Sequence, residues 1–336
     1  VGGHYVAPRF AARPDGCVTP GTVVVALGGN ALSPADEPGT VANQFRHTRE
    51  SLVPLVELAR AGWRIAVVHG NGPQVGDALA RNEISSAQVE PMPLGVLVAE
   101  TAGWIGYMIQ QSLQNALARA GVARDVITVI TQTIVDEHDP LLRRPDKPIG
   151  HPLDARRRNS LEQRGVAVAK DARGHPRRLA ASPIPLGIVE AAAVRRLVDA
   201  GTIVIASGGG GPPVYRDPRL GWEGVDAVVD KDRTAAILAE GLGADLLLIL
   251  TDAAGVYRDF GTDHATLIRR MDVAEARTLL ASRELGAGSM RPKVEAALQF
   301  VERTHARAAI AALKDGPAAM RSEAGTTIAY APPGAS

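Results

Sequence analysis

The sequence predicts an α/β protein in which a mainly parallel sheet carries helices on both faces. Two observations lead there: apolar β-branched runs recur along the chain, each closing on a Gly, Asn or Asp loop, and helical spacing fills the intervals between them. A composition of 46% hydrophobic and 22% charged residues over 336 positions adds a third, because a chain of this make-up buries a core and is not disordered throughout.

The first run, Thr22 to Leu27, stops at Gly28-Gly29-Asn30, as a buried parallel strand entering a tight loop does. Helical spacing follows from Gln44 to Ala61, with Leu52, Leu55, Val56 and Ala59 on one face. Arg64 to Val68 is the second strand; it ends at His69-Gly70-Asn71-Gly72-Pro73, and a helix begins at Gln74. Three further units repeat the pattern. Val126 to Ile130 is one, Thr202 to Ala206 runs into Ser207 and Gly208 to Gly211, and Ala244 to Leu250 runs into Thr251-Asp252. In such sheets ligands bind beyond the carboxyl ends of the strands.

From about residue 136 to 185 the rhythm breaks into Arg-, Pro- and Asp-rich sequence, with short strands expected at 166–169 and 177–180 and a helix at 153–164. A stretch this long normally has structure of its own, so it is read as a protruding subdomain or lid. The alternative, a disordered basic insert, is disfavoured by its regular apolar positions. Residues 1–21 are read as a flexible tail and 22–336 as the folded domain.

Composition also excludes partners. With 37 Lys and Arg against 36 Asp and Glu, no global charge favours nucleic acid or a membrane surface. A single cysteine, Cys17, forms neither an internal disulfide nor a Cys-based metal cluster, so a reducing, cytoplasmic setting is expected. Apolar runs such as Leu246 to Leu250 fall far short of the roughly 20 residues of a membrane-spanning helix.

Glycine loops lie at the strand ends: Gly28-Gly29, Gly70 with Gly72, Gly208 to Gly211, and the turn from Asp252 to Gly255. Glycine lets backbone N–H groups approach an anion, and a helix start behind the loop adds partial positive charge, which makes Gly72, Gly208 and Gly209 candidate phosphate contacts beside Gly28, Gly29 and Gly70. No Walker-type loop, no Gly-x-Gly-x-x-Gly after the first strand, no Gly-x-Ser-x-Gly and no His-Glu-x-x-His occurs. His69, at the end of a buried strand, is read as a satisfied core or loop histidine.

Only five of the 37 cations are lysines, the other 32 being arginine. Three fall beside loops: Lys231 in Asp230-Lys231-Asp232, Lys293 ahead of an apparent helix, and Lys147 in the lid segment. A lysine ammonium is a compact charge that can follow a moving phosphoryl group, and phosphoryl transfer depends on positioning and charge neutralisation. These three are the expected catalytic cations; Lys170 is left undecided and Lys314 is assigned to the surface. Asp232 has three available roles: to orient Lys231, to hold Mg²⁺ through water, or to cap the following helix.

The segments Val24 to Ala31, His69-Gly70-Asn71-Gly72-Pro73-Gln74-Val75-Gly76, Trp104 to Tyr107, Lys147-Pro148-Ile149-Gly150, Ser207 to Gly211, Asp230-Lys231-Asp232, Leu250-Thr251-Asp252, Gly255-Val256-Tyr257 and Gly288-Ser289-Met290 with Pro292-Lys293 occur in this order. Together, from about Thr22 to Tyr330, they resemble the carbamate kinases of the amino acid kinase family. The resemblance implies a three-layer αβα sandwich, a homodimer, and Mg²⁺-dependent transfer between ATP and carbamate to give ADP and carbamoyl phosphate, commonly run toward ATP at the end of arginine breakdown. It implies that Gly28, Gly29, Asn30, Gly70 and Asn71 hold the carbamoyl and transferring phosphate groups. Lys231 and Lys293 then lie along the ATP phosphates, Asp232 organises Lys231, and Lys147 reaches in from the protruding subdomain. Thr251, Asp252, Val256, Tyr257, Met290 and Pro292 border the nucleotide, and Mg²⁺ is held mainly by phosphates and water with no direct protein ligand.

The sequence departs from that pattern at Arg291, Gly95 and Ala102, and Ala180-Ala181-Ser182-Pro183 stands where Val-Pro-Ser-Pro is more usual. Two alternatives therefore stay open: a kinase of another small carboxylate acceptor, and a non-catalytic nucleotide or metabolite sensor.

Overall fold

Every residue of Thr22–Leu27 is buried in the computed structural model, which describes residues 20–33, 37–171, 174–282, 284–285 and 289–331. This strand, β1, leads into the single turn α1 (Gly29–Leu32), then α2 (Val41–Glu50), α3 (Val53–Arg60) and β2 (Arg64–His69). Next come α4 (Gly72–Ser85), the long α5 (Leu94–Arg119), β3 (Val126–Thr128) and β4 (Thr133–Ile134). A small unit follows with β5 (Lys147–Ile149), α6 (Ala155–Gln163), β6 (Val168–Lys170) and β7 (Pro176–Ala180). The chain returns through β8 (Gly187–Ile188), α7 (Ala191–Asp199), β9 (Ile203–Ile205) and the hairpin of β10 (Pro213–Asp217) and β11 (Gly221–Gly224). It closes with α8 (Lys231–Leu242), β12 (Leu246–Thr251), β13 (Val256–Arg258), β14 (Thr266–Ile268), β15 (Arg270–Met271), α9 (Val273–Ala281), α10 (Met290–Thr304), β16 (Arg307–Ala312), α11 (Gly316–Met320) and β17 (Thr326–Ile328).

The main sheet has the order β15-β17-β16-β12-β1-β2-β9-β3 and is parallel except where β17 meets β16. Because alternate side chains of a strand face opposite ways, both faces must be covered for the strands to be apolar throughout. Val24, Ala26, Val68, Leu247 and Ile249 pack under α7, α8, α9 and α10, whereas Val25, Leu27, Val67, Leu248 and Leu250 pack under α3, α5 and α11. Helices on both faces of one sheet make the three-layer αβα sandwich.

The helix expected over 44–61 divides in two. Pro54, lacking an N–H, sits in the first turn of α3, where that donor is not needed, and the break falls just before it. Gly21, assigned to the tail, is instead buried, and its carbonyl accepts the Arg64 N–H at 2.9 Å. The rest of the expected tail, residues 1–19, lies outside the described residues, and so does Cys17.

Residues 147–180 form their own antiparallel sheet, β5-β7-β6, with Lys147 opposite Ala180 and Val168 opposite Arg178. Ile149 and Ala180 share a cluster with Val75, Ala78 and Leu79 of α4 and with Leu94, Leu97 and Val98 of α5. The Gly150 N–H donates to the Gly72 carbonyl at 3.0 Å, and the Arg178 guanidinium pairs with Glu83 at 2.5 Å. This unit therefore rests on α4 with its first strand pointed toward the carboxyl edge of the main sheet.

Candidate functional site

β1, β2, β9 and β12 are parallel neighbours in the sheet, so the loops that follow them emerge at one edge. The Gly28 N–H donates to the Leu250 carbonyl at 3.1 Å, and the Gly70 N–H donates to the Leu27 carbonyl at 3.1 Å. These bonds hold the ends of β1, β2 and β12 together. Gly70 lies so close to its neighbours that a Cβ there would stand 2.9 Å from the Gly29 nitrogen and 3.1 Å from Cδ of Lys231. Bare backbone is required at this point, and it brings the first two glycine loops against the stem of a lysine.

Behind them, Ser207 and Gly209 to Gly211 all have positive φ, a turn built almost wholly of left-handed residues. The Ser207 N–H is fixed by the Thr131 hydroxyl at 2.9 Å. Gly209 abuts the Asn71 side chain, where a Cβ would come within 2.1 Å of Nδ2. Asn71 is buried and donates from Nδ2 to the Thr101 hydroxyl at 2.9 Å. Gly208 presses on His69 and on Ala102, with which a Cβ would collide at 2.5 and 2.9 Å. Gly29 and Asn30 are in α1, and Gly72 opens α4 with its carbonyl committed to Gly150. The predicted phosphate loops are thus gathered at one edge.

Charge is concentrated at the start of α8. Asp230 caps this helix: its Oδ1 accepts the N–H groups of Asp232 at 2.9 Å and Arg233 at 3.2 Å. The cap role weighed for Asp232 therefore belongs to Asp230, since Asp232 lies inside the first turn. Asp232, only 3% exposed, instead joins two cations, with Oδ1 2.5 Å from Lys231 Nζ and Oδ2 3.3 Å from Lys293 Nζ. Lys293, in the first turn of α10, also donates to the Ser289 carbonyl at 3.1 Å. Lys147 of β5 pairs through Nζ with Oδ2 of Asp230. The three lysines singled out in the sequence meet on two carboxylates two residues apart, while Lys170 and Lys314 are exposed elsewhere.

Burial pushes the Lys231 ammonium below its ordinary value, and Lys293 adds to that effect, while Asp232 opposes it. Burial alone would raise the Asp230 carboxyl, but the charge of Lys147 and its hydrogen bond, then Lys231, hold it well below the usual carboxylate range. His69 is fully buried and lowered to about 4 by that burial. Its Nδ1 lies 3.1 Å from the Gly70 carbonyl; the Ala102 backbone lies in its field, yet Nε2 makes no hydrogen bond of ordinary geometry. His69 is thus a core histidine, but it is not fully satisfied.

Thr251 is buried at the end of β12, with its hydroxyl 3.0 Å from the exposed Asp252 carboxylate. Val256 is fully buried in the core, and its N–H is taken by the Thr326 hydroxyl at 2.8 Å, so it offers packing and no free donor. Tyr257 is half-buried, its ring 6.0 Å from that of Phe260. Met290 and Pro292, both half-buried, flank Arg291 at the start of α10. The Arg291 guanidinium donates to the carbonyls of Leu280 at 2.7 Å and Ser282 at 2.9 Å, so it ties down the end of α9. Asp230 joins these residues as a further site member, and its signal in the sequence is an Asp two positions ahead of another Asp at a helix start.

Among the described residues no group of three or more His, Cys, Asp or Glu gathers as a metal site. No helix among them is long and apolar enough to cross a membrane. What the edge offers is three ammonium groups held on two carboxylates beside closely packed glycine loops. The Gly28 and Gly70 N–H groups are already bonded to the Leu250 and Leu27 carbonyls, so the cations are the groups suited to an oxyanion-rich ligand that changes partners during reaction.

Residues 21–312 match the model of the amino acid kinase family. A carbamate kinase of Pyrococcus horikoshii is 41% identical over 312 residues, covering 92% of this chain and 99% of the relative. One of Halobacterium salinarum is 44% identical over 308 residues, covering 91% and 97%. Among solved structures, a carbamate kinase from Giardia lamblia bound to AMP-PNP superposes with a TM-score of 0.84 at 33% identity, covering 92% of this chain and 98% of the other.

Proposed function

The chain belongs to the amino acid kinase family and is a kinase, and from that premise we propose that it interconverts ATP plus carbamate with ADP plus carbamoyl phosphate. The observation that carries this reading is the meeting of Lys147, Lys231 and Lys293 on Asp230 and Asp232 beside the glycine ends of β1 and β2.

In the direction of carbamoyl phosphate synthesis, a carbamate oxygen attacks the γ-phosphorus and the bond to the β-bridging oxygen breaks. ADP leaves, and no enzyme-bound covalent intermediate forms. Gly28, Gly29, Asn30, Gly70 and Asn71 line the place of the carbamoyl and transferring groups, with Gly72, Gly208 and Gly209 completing the loops. Gly28 and Gly70 contribute close backbone approach, since their N–H groups are bonded to the Leu250 and Leu27 carbonyls. Lys231 and Lys293 neutralise charge on the phosphates, and Asp232 keeps their ammonium groups apart and aimed. Lys147 comes to the same place from the small subdomain, which acts as a lid. Thr251, Asp252, Tyr257, Met290 and Pro292 border the nucleotide, and Val256 supports them from the core.

Mg²⁺ bound with the nucleotide would supply neutralisation of phosphate charge. Both oxygens of Asp232 already face lysines, which favours phosphate and water as its ligands. We assign the physiological direction to ATP formation in arginine breakdown, the working state to a homodimer and the location to the cytoplasm. Arg291 gives no support to another acceptor, because its guanidinium is spent on the end of α9. A coupled assay of ATP formation from ADP and carbamoyl phosphate with Mg²⁺ tests the reading; the absence of turnover overturns it.

A further inference from the structure

We infer that Asp230 is a positioning residue that holds Lys147, and with it the small subdomain, over the phosphate crevice until a phosphate takes its place. The inference rests on the reading of that crevice as the site of phosphoryl transfer. Its basis is the division of work between the two oxygens of one nearly buried carboxylate. Oδ1 accepts two backbone N–H groups at the start of α8, and Oδ2 pairs with the Lys147 ammonium. Lys147 is the first residue of β5, so its pair with Asp230 joins the small sheet to the start of α8.

The other ties between the two bodies lie elsewhere. Gly150 bonds to Gly72, Arg178 and Arg164 pair with Glu83, and His151 lies 3.5 Å from Asp77, all on α4. Ile149 and Ala180 pack on α4 and α5, and the Val228 N–H donates to the Ala181 carbonyl at 3.0 Å. The Lys147 ion pair is the tie made to the charged end of α8, and it is 29% exposed on the lysine side, so an entering anion can reach it. When a phosphate oxygen draws Lys147 away, Asp230 is not left as a bare buried charge, because Oδ1 keeps its two N–H donors. The exchange of one anion for another is then feasible without unfolding the helix start.

The test separates charge from capping. Asp230→Asn keeps an oxygen for the N–H groups, since asparagine caps helices as well as aspartate does, but it removes the charge that holds Lys147. Spin labels at Asn159→Cys on α6 and Lys314→Cys beyond β16, in a Cys17→Ser background, report the distance across the crevice. The expected result is one narrow distance in the unliganded parent, a broadened and longer one in Asp230→Asn, and recovery of the narrow distance when ADP and carbamoyl phosphate are added. The variant should retain its melting temperature and show a KM for carbamoyl phosphate raised about tenfold, a larger change than that in kcat. Lys147→Met, which leaves the cap untouched, should broaden the unliganded distance in the same way and secures the test if Asp230→Asn does not fold. A distance distribution unchanged from the parent in both variants overturns the inference. A parent that shows the expected distances but makes no ATP upholds the latch and sinks the kinase reading.

Discussion

A Cβ placed on Gly76 would stand 1.9 Å from the Cα of Gly150, so α4 and the end of β5 meet backbone to backbone. No side-chain rotation relieves such a contact, and Gly150 itself has φ of +74°. Gly76→Ala should therefore push the small subdomain off α4, despite the roughly 1 kcal/mol that alanine ordinarily adds to a helix interior. The expected outcome is faster proteolytic cutting within residues 150–180 and lower carbamoyl phosphate turnover, with the main sheet intact by circular dichroism. A parental cleavage pattern would refute it.

Removing either ammonium that Asp232 holds should cost catalysis more than stability. Lys231→Ala and Lys293→Ala are each expected to lose at least about 2–4 kcal/mol of transition-state stabilisation, or roughly 30- to 1000-fold in kcat, the scale of one preorganised electrostatic donor. Steady-state kinetics with ADP and carbamoyl phosphate measures this. Turnover like the parent's would remove the two lysines from the mechanism.

Lys231 also sets a pH limit. Because burial lowers its ammonium below the ordinary 10.5, the alkaline fall in kcat/KM should begin below the usual lysine range. An arginine stays protonated beyond pH 12, so Lys231→Arg should move that limb upward whatever its absolute rate. Identical alkaline limbs in the two proteins would assign the titration to another group.

His69 links acid to stability. Its folded value of about 4 lies below the ordinary 6.5, so the unfolded chain takes up a proton first as pH falls. The fold is thus most stable above pH 6.5 with respect to this group and loses roughly 3 kcal/mol on passing down to pH 4. Urea unfolding of the parent and His69→Gln at pH 7 and pH 5 checks the sign: the parent should lose more than the variant does. Equal losses would mean that the ring is protonated inside the fold.

Much of this organisation is legible in the chain because the physics is local. Thr22–Leu27, Arg64–His69 and Leu246–Thr251 announce themselves as strands buried on both faces, and the glycines mark where they stop. Rarity made Lys147, Lys231 and Lys293 visible. β16 is less legible, because Arg307–Ala312 is mostly alanine, a helix former that becomes a strand through its pairing with β12 and β17. Asp230 was hidden for another reason: its partner Lys147 lies 83 positions away, and no local pattern encodes such a meeting. Arg291 looked like a change at the nucleotide border, yet its direction depends on carbonyls at the end of α9 that only the fold brings near.

β1 sits between β2 and β12, and the Thr22 N–H reaches the Asp245 carboxylate at 2.8 Å across 223 positions of sequence. During synthesis β1 and β2 emerge early, but one edge of β1 has no partner until most of the chain has left the ribosome. Closing so long a loop is slow, and an open apolar strand edge invites pairing with other chains in the meantime. Yield of the folded protein should therefore depend on how that interval is managed, rising at lower temperature or with chaperones that shield strand edges. The strand that seats the first glycine loop at the centre of the sheet is also the one that waits longest for its second neighbour.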